Sequence, residues 1–148
     1  MNVNVLRRFI IYMAIATFVM FTVWALIRSY MERPAGDYET EVCDIRLKDK
    51  QYDKAIIAAN IALEKTPNHR GAIMCKALVY ISQKDYDSAT GELNYLIKYL
   101  EANLETDDLT GKGTLAAAYA NRGIIKDRKE NYEGALKDYV KALGIDYE

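Results

Sequence analysis

Little in this chain of 148 residues can carry catalysis or hold a metal ion. Its one histidine, His69, follows Pro67 and Asn68 in a turn. No Ser or Cys nucleophile motif accompanies it, so it reads as a helix-start residue and not as a general base. Cys43 and Cys75, the only cysteines, form neither a Cys-x-x-Cys pair nor a Cys/His cluster, which leaves a metal site without ligands. The segment Gly111-Lys112-Gly113-Thr114 comes nearest to a phosphate loop. That motif needs Ser or Thr directly after the Lys and a glycine where Thr106 stands, and neither is present. The acidic pair Asp107 and Asp108 reads as solvated charge in the same stretch. No cofactor is expected, and an enzyme is the class with least support.

Charge of one sign is missing as well. Formal net charge is −1, and residues 36–148 carry sixteen basic against twenty acidic side chains with no basic run. A mildly acidic domain of this kind excludes nucleic acid as the expected partner.

What is present begins with a hydrophobic run. Between Arg8 and Arg28 lie nineteen uncharged residues, from Phe9 to Ile27. As a helix they cover roughly 28 Å, the thickness of a bilayer's hydrocarbon core. A cleaved signal peptide is the competing reading. The run exceeds a signal peptide's apolar region, and residues 28–34 offer no small-x-small cleavage site, which favours a single-pass anchor over residues 1–33. Thr17 and Thr22 are expected to bond to their own helix carbonyls, and Tyr30 stands where an interfacial aromatic belongs. No charge lies inside the span, so no ion or proton path is expected. Two arginines flank each side, and the N-terminal amine tips the count toward a cytoplasmic tail. The remainder then lies across the membrane, in a bacterium in the periplasm beyond the inner membrane. There Cys43 and Cys75 have two readings: a disulfide, or two small buried hydrophobes.

Pro34-Ala35-Gly36 breaks the first helix and opens a short linker over residues 34–36. Beyond it a pattern recurs. Tyr52 and Ala55 return thirty-four residues later as Tyr86 and Ala89, and a third copy holds Tyr132 and Ala135. Each copy starts a helical apolar stripe: Ala55, Ala59 and Ala62, then Ala89, Leu93 and Leu96, then Ala135, Tyr139 and Ala142. The alanines of the first stripe allow a neighbouring helix to approach closely. A period of thirty-four residues is that of helix hairpins stacked as a solenoid.

These residues resemble the tetratricopeptide repeat (TPR) family. The match is best in the third unit, where Tyr119 takes the aromatic and Gly123 the small position of the first helix. Ala77 and Tyr80 match in the second. In the first unit Cys43 and Arg46 replace those two residues, and the first helix is divergent. The resemblance implies an all-α architecture, a single transmembrane helix followed by an α-solenoid of three TPR-like helix hairpins at residues 37–69, 70–104 and 114–147. The step from Ala89 to Ala135 is forty-six residues, so twelve are inserted. Leu93, Leu96, Ile97, Leu100 and Leu104 keep helical spacing into the insertion, which predicts a long helix, then a loop over residues 105–113, with Thr114 as the next N-cap. The loop is either a binding projection or a tolerated insertion.

The family binds through a concave surface lined by first helices. Here that surface would display Asp37, Thr40, Asp44, Leu47 and Lys48, then Met74, Leu78, Ile81 and Ser82, then Ala117, Ala120, Ile124, Asp127 and Arg128. Family members that capture acidic chaperone tails place Lys, Asn and Arg at positions held here by Thr40, Asp44, Met74, Leu78, Ala120 and Ile124. None of these is basic, which disfavours that mode. The apolar middle suits a hydrophobic helix or extended segment, unless the chain fills the groove itself. At the far end Leu136, Tyr139, Val140 and Leu143 are expected to leave a face open for a partner or a second copy. The function implied is a membrane-anchored scaffold or adaptor that binds a protein partner, with a role in assembling or stabilising a membrane complex. The alternative is an accessory subunit whose anchor also packs in an integral-membrane complex.

Overall fold

The computed structural model describes residues 3–31 and 33–146, without the side chains of residues 4, 29–31 and 146. The position expected for the Tyr30 ring and the last residue of the third repeat, at 147, therefore lie outside the described residues. Among these residues there are seven helices and no strand: α1 (Val3–Met31), α2 (Asp37–Lys48), α3 (Tyr52–Lys65), α4 (Arg70–Gln83), α5 (Tyr86–Asn103), α6 (Leu109–Arg128) and α7 (Tyr132–Asp146). They form two units, which divide after Pro34.

The first unit is α1. Its stretch Val5–Arg28 has a mean hydropathy of 2.3 and is long and apolar enough to cross a membrane. Thr17 Oγ1 donates to Met13 O at 2.5 Å and Thr22 Oγ1 to Val19 O at 2.8 Å, satisfying both hydroxyls within the helix. At its end the Arg28 guanidinium lies 5.5 Å from the centroid of the Trp24 ring.

In the second unit α2 packs on α3, α4 on α5, and α6 on α7; successive pairs meet through α3 with α4, α5 with α6, and the row α2, α4, α6. The same turn closes α2, α4 and α6. Lys50, Lys84 and Glu130 adopt left-handed φ angles of 58°, 63° and 61°. The next amide in each case reaches back to the carbonyl five residues earlier, Gln51 to Arg46, Asp85 to Tyr80 and Asn131 to Lys126, at 2.8–2.9 Å. This is the hydrogen-bond pattern of a Schellman helix end. Lys50, Lys84 and Glu130 stand in the same register as Tyr52, Tyr86 and Tyr132, so the recurrence of letters coincides with a recurrence of backbone geometry.

Two boundaries depart from expectation. Ala35 and Gly36 are not a free linker: Thr66 Oγ1 donates to Ala35 O at 2.7 Å, and Thr40 N to Gly36 O at 2.9 Å, which ties both to the second unit. Thr114 is not an N-cap either. It lies inside α6, its hydroxyl bonded to Thr110 O, while Asp108 caps the helix by accepting from Gly111 N at 2.7 Å. The chain between α5 and α6 is therefore shorter than the expected loop at 105–113. Glycine at 111 reflects close packing and not a loop, because a Cβ there would sit 2.3 Å from Leu104 Cδ1.

The core has two parts. The smaller joins Cys43, Ala55, Ala58, Ala59, Cys75 and Val79. Cys43 and Cys75 are bonded to each other, cross-linking α2 to α4. Of the two readings open in the sequence, the structure has the disulfide. The larger part runs from Ile73 and Ala77 through Leu93, Leu96 and Leu100 to Tyr119 and Ile125. At its edge Gly123 lets the Tyr139 ring pack onto α6, where a Cβ would meet Tyr139 Cε1 at 2.6 Å.

Candidate functional site

α2, α4 and α6 lie side by side, and a concavity of about 400 Å³ opens along them. Thr40 and Asp44 line it from α2, Met74 and Leu78 from α4, and Thr110, Thr114 and Ala117 from α6. Five of the fourteen expected groove residues, Thr40, Asp44, Met74, Leu78 and Ala117, thus come together. The third wall is the first half of α6, whose opening residues, 109–113, were expected in a loop and not in a helix. Asp108, three residues before Gly111, was the available signal: Asp is a favoured N-cap, and its carboxylate also accepts from Arg70 Nη1.

The other nine stand elsewhere: Asp37 is bonded to His69, Leu47 packs against the smaller core, Ser82 bonds to Leu78 O, and Lys48 lies outside the concavity. Ile81 packs against the main core. Ala120 is half-buried, and Ile124, 37% exposed, lies with Asp127 and Arg128 beyond the concavity. Arg128 turns to α5, its guanidinium 5.8 Å from the Tyr86 ring. The groove is therefore shorter than expected and lies toward the start of α6.

Thr40 is committed to structure. Its hydroxyl donates to Gly36 O at 2.9 Å and lies 3.3 Å from His69 Nδ1. His69 caps α4: Nδ1 accepts from Ala72 N at 3.2 Å, leaving the ring proton on Nε2, 2.8 Å from Asp37 Oδ1. Both ring nitrogens are thus used in joining α2 to α4. Asp44 is the one ionisable side chain lining the concavity. Partial burial raises its pKa against the opposing pull of Lys48, with Glu41 adding to the rise. A carboxylate in that state gains from a cationic or donor group brought by a ligand. The surface offers apolar contact from Met74, Leu78 and Ala117, hydroxyls, and one acid.

No protein-family model and no curated protein matches this chain.

A second concavity of about 270 Å³ lies over Glu101, Tyr119 and Lys141. Tyr119 donates to Glu101 Oε1 and accepts from Lys141 Nζ at 3.0 Å. Its ring sits 5.1 Å from the Arg122 guanidinium and 4.9 Å from Lys141 Nζ. Burial and the bond to Glu101 raise the phenol's pKa, while Lys141 opposes them. These groups hydrogen-bond to one another across α5, α6 and α7. Among the described residues no three His, Cys, Asp or Glu side chains are placed to hold a metal ion.

On α7, Leu136, Val140 and Leu143 are 62%, 60% and 60% exposed. Tyr139, assigned to the same face, instead faces Gly123. The exposed stripe continues through Tyr132, 65% exposed. The helical step of four residues from Leu136 leads to Tyr132, a residue that the repeat had marked only as a structural position.

Proposed function

We propose that this chain is a membrane-anchored interaction module: α1 crosses a bilayer, and α2 to α7 stack as three TPR-like hairpins whose first helices bind a segment of a protein partner. The observation that carries the reading is the concavity on α2, α4 and α6, apolar in its middle with Asp44 as its single charge. That chemistry suits an apolar helix or extended segment carrying a basic residue. Tethering raises the local concentration of the module for membrane partners, so modest affinity suffices for assembling or stabilising a membrane complex.

The disulfide bears on the side of the membrane. Cys43 and Cys75 are 0% and 1% exposed, and such bonds persist in oxidising compartments. This supports placing the hairpins across the membrane from the cytoplasm, in a bacterium in the periplasm. The flanking charges of the anchor lean the same way.

The test uses the full chain solubilised from its native membrane. Asp44 and Ala117 are both exposed, so Asp44→Lys with Ala117→Glu changes the groove without entering the core. The expected result is loss of the co-purifying partner with helical circular dichroism unchanged. Retention of the partner by the double variant overturns the groove.

A further inference from the structure

The three helix pairs can be superposed in register by their left-handed turns at Lys50, Lys84 and Glu130. Positions that match in this register do not match in burial. Ala72 and Ala118 are fully buried, but their counterpart Tyr38 is 57% exposed. Val79 and Ile125 are 0% and 1% exposed, against 48% for Ile45. Val79 is covered by Ala55, Ala58 and Ala59 of the preceding pair, and Ile125 belongs to a cluster that contains Ala89 and Leu93 of its own preceding pair. Tyr38 and Ile45 stand where each later pair receives its predecessor.

The other end has the reverse deficit. Leu63 packs against the cluster of the following pairs, and Ile97 is 4% exposed within it; their counterpart Leu143 is 60% exposed. Tyr86 is half-buried and carries Arg128 of the next pair over its ring, while Tyr132 is 65% exposed. Among the described residues of the second unit no further helix packs on this face of α7 or on this face of α2.

We infer that these faces are two halves of one interface and that a second copy of the chain docks head to tail, Tyr132, Leu136 and Leu143 of one copy against Tyr38 and Ile45 of the next. The interface already exists inside the chain between successive pairs, and the ends continue it. Its paired features are complementary. The counterpart of Arg128 in the first pair is Lys48, a second cation for the Tyr132 ring. The junction contact in which Arg122 Nη1 donates to Asn94 Oδ1 at 2.7 Å maps onto Val42 and Val140, so both members have become apolar together. One feature opposes: the exposed pair Lys129 and Asp87 maps onto Asp49 and Glu133, two acids whose repulsion is screened at a solvated rim. A contact between two different faces is heterologous and propagates into rings or rows, unlike a two-fold dimer. This surface is separate from the groove and does not depend on it.

The experiment expresses two differently tagged full-length chains in the native membrane, one with Lys48→Cys and the other with Tyr132→Cys, and treats them with a short bis-maleimide. The native cysteines are bonded and buried and do not react. The expected product carries both tags. Neither chain links to itself, a chain bearing both substitutions gives a ladder beyond the dimer, and Leu136→Lys on the Tyr132→Cys chain removes the product. Position 136 is exposed, so that change leaves the fold intact. Linkage of Tyr132→Cys chains to each other, which marks a two-fold α7 pair, linkage to a different protein, or no linkage each overturns the inference.

Discussion

Asp138 is the most constrained ionisable residue in the second unit. It is 3% exposed and receives Arg122 Nε at 2.8 Å, Arg122 Nη2 at 2.7 Å and Lys126 Nζ at 2.8 Å. Burial raises its pKa, but the hydrogen bonds from Arg122 and Lys126 outweigh burial and leave it below the usual carboxylate value. A depressed folded pKa means that this contribution to stability is complete above the unfolded carboxylate pKa and is lost as pH falls through the lowered one. Asp138→Asn should therefore cost about 3 kcal/mol, because two cations lose their partner in a buried setting. Thermal unfolding measured across acid pH should find the wild type losing stability below about pH 4 while the variant loses less. Equal acid sensitivity would remove Asp138 from that role. None of this was legible in the sequence, where Asp138 is one more polar residue on a helix whose partners lie sixteen and twelve residues earlier.

At the scale of elements, the helical stripes starting at Ala55, Ala89 and Ala135 located α3, α5 and α7, and the long α5 followed from Leu93 to Leu104. The start of α6 did not. Gly111 and Gly113 read as loop residues, yet the side chains of Leu104, Asp108 and Arg70 close in on Gly111, a packing contact that no local pattern reports. Tyr139 was misplaced for a related reason: Gly123 admits its ring, and helical period alone cannot tell a stripe facing its own hairpin from one facing outward. The core cluster around the first hairpin is built from small residues, and the disulfide cross-links it. The cysteines are thirty-two residues apart, and by the chain-entropy account closing such a loop contributes about 3–4 kcal/mol. Cys43→Ala with Cys75→Ala, or reduction, should lower the unfolding free energy of the detergent-solubilised chain by about that amount, and with it the unfolding midpoint. An unchanged midpoint under reductant would contradict the stapling role.

For the whole molecule, an all-helical chain with one apolar helix long enough to cross a membrane was readable from hydropathy and period alone. The groove was readable in part. Thr40, Asp44, Met74 and Leu78 fell into place because α2 and α4 keep the thirty-four-residue register. Ile124, Asp127 and Arg128 fell outside because the concavity lies toward the beginning of α6, and Arg128 is drawn to Tyr86. The proposed function stands or falls with the binding of a protein segment in this concavity. A photoreactive residue at Ala117, in the native membrane, tests it most directly, with the same probe at Ile57 on exposed α3 as the comparison. The expected outcome is a discrete protein adduct at 117, absent at 57 and abolished by Asp44→Lys. Identical adducts at both positions, or an adduct at 117 that survives Asp44→Lys, would contradict it.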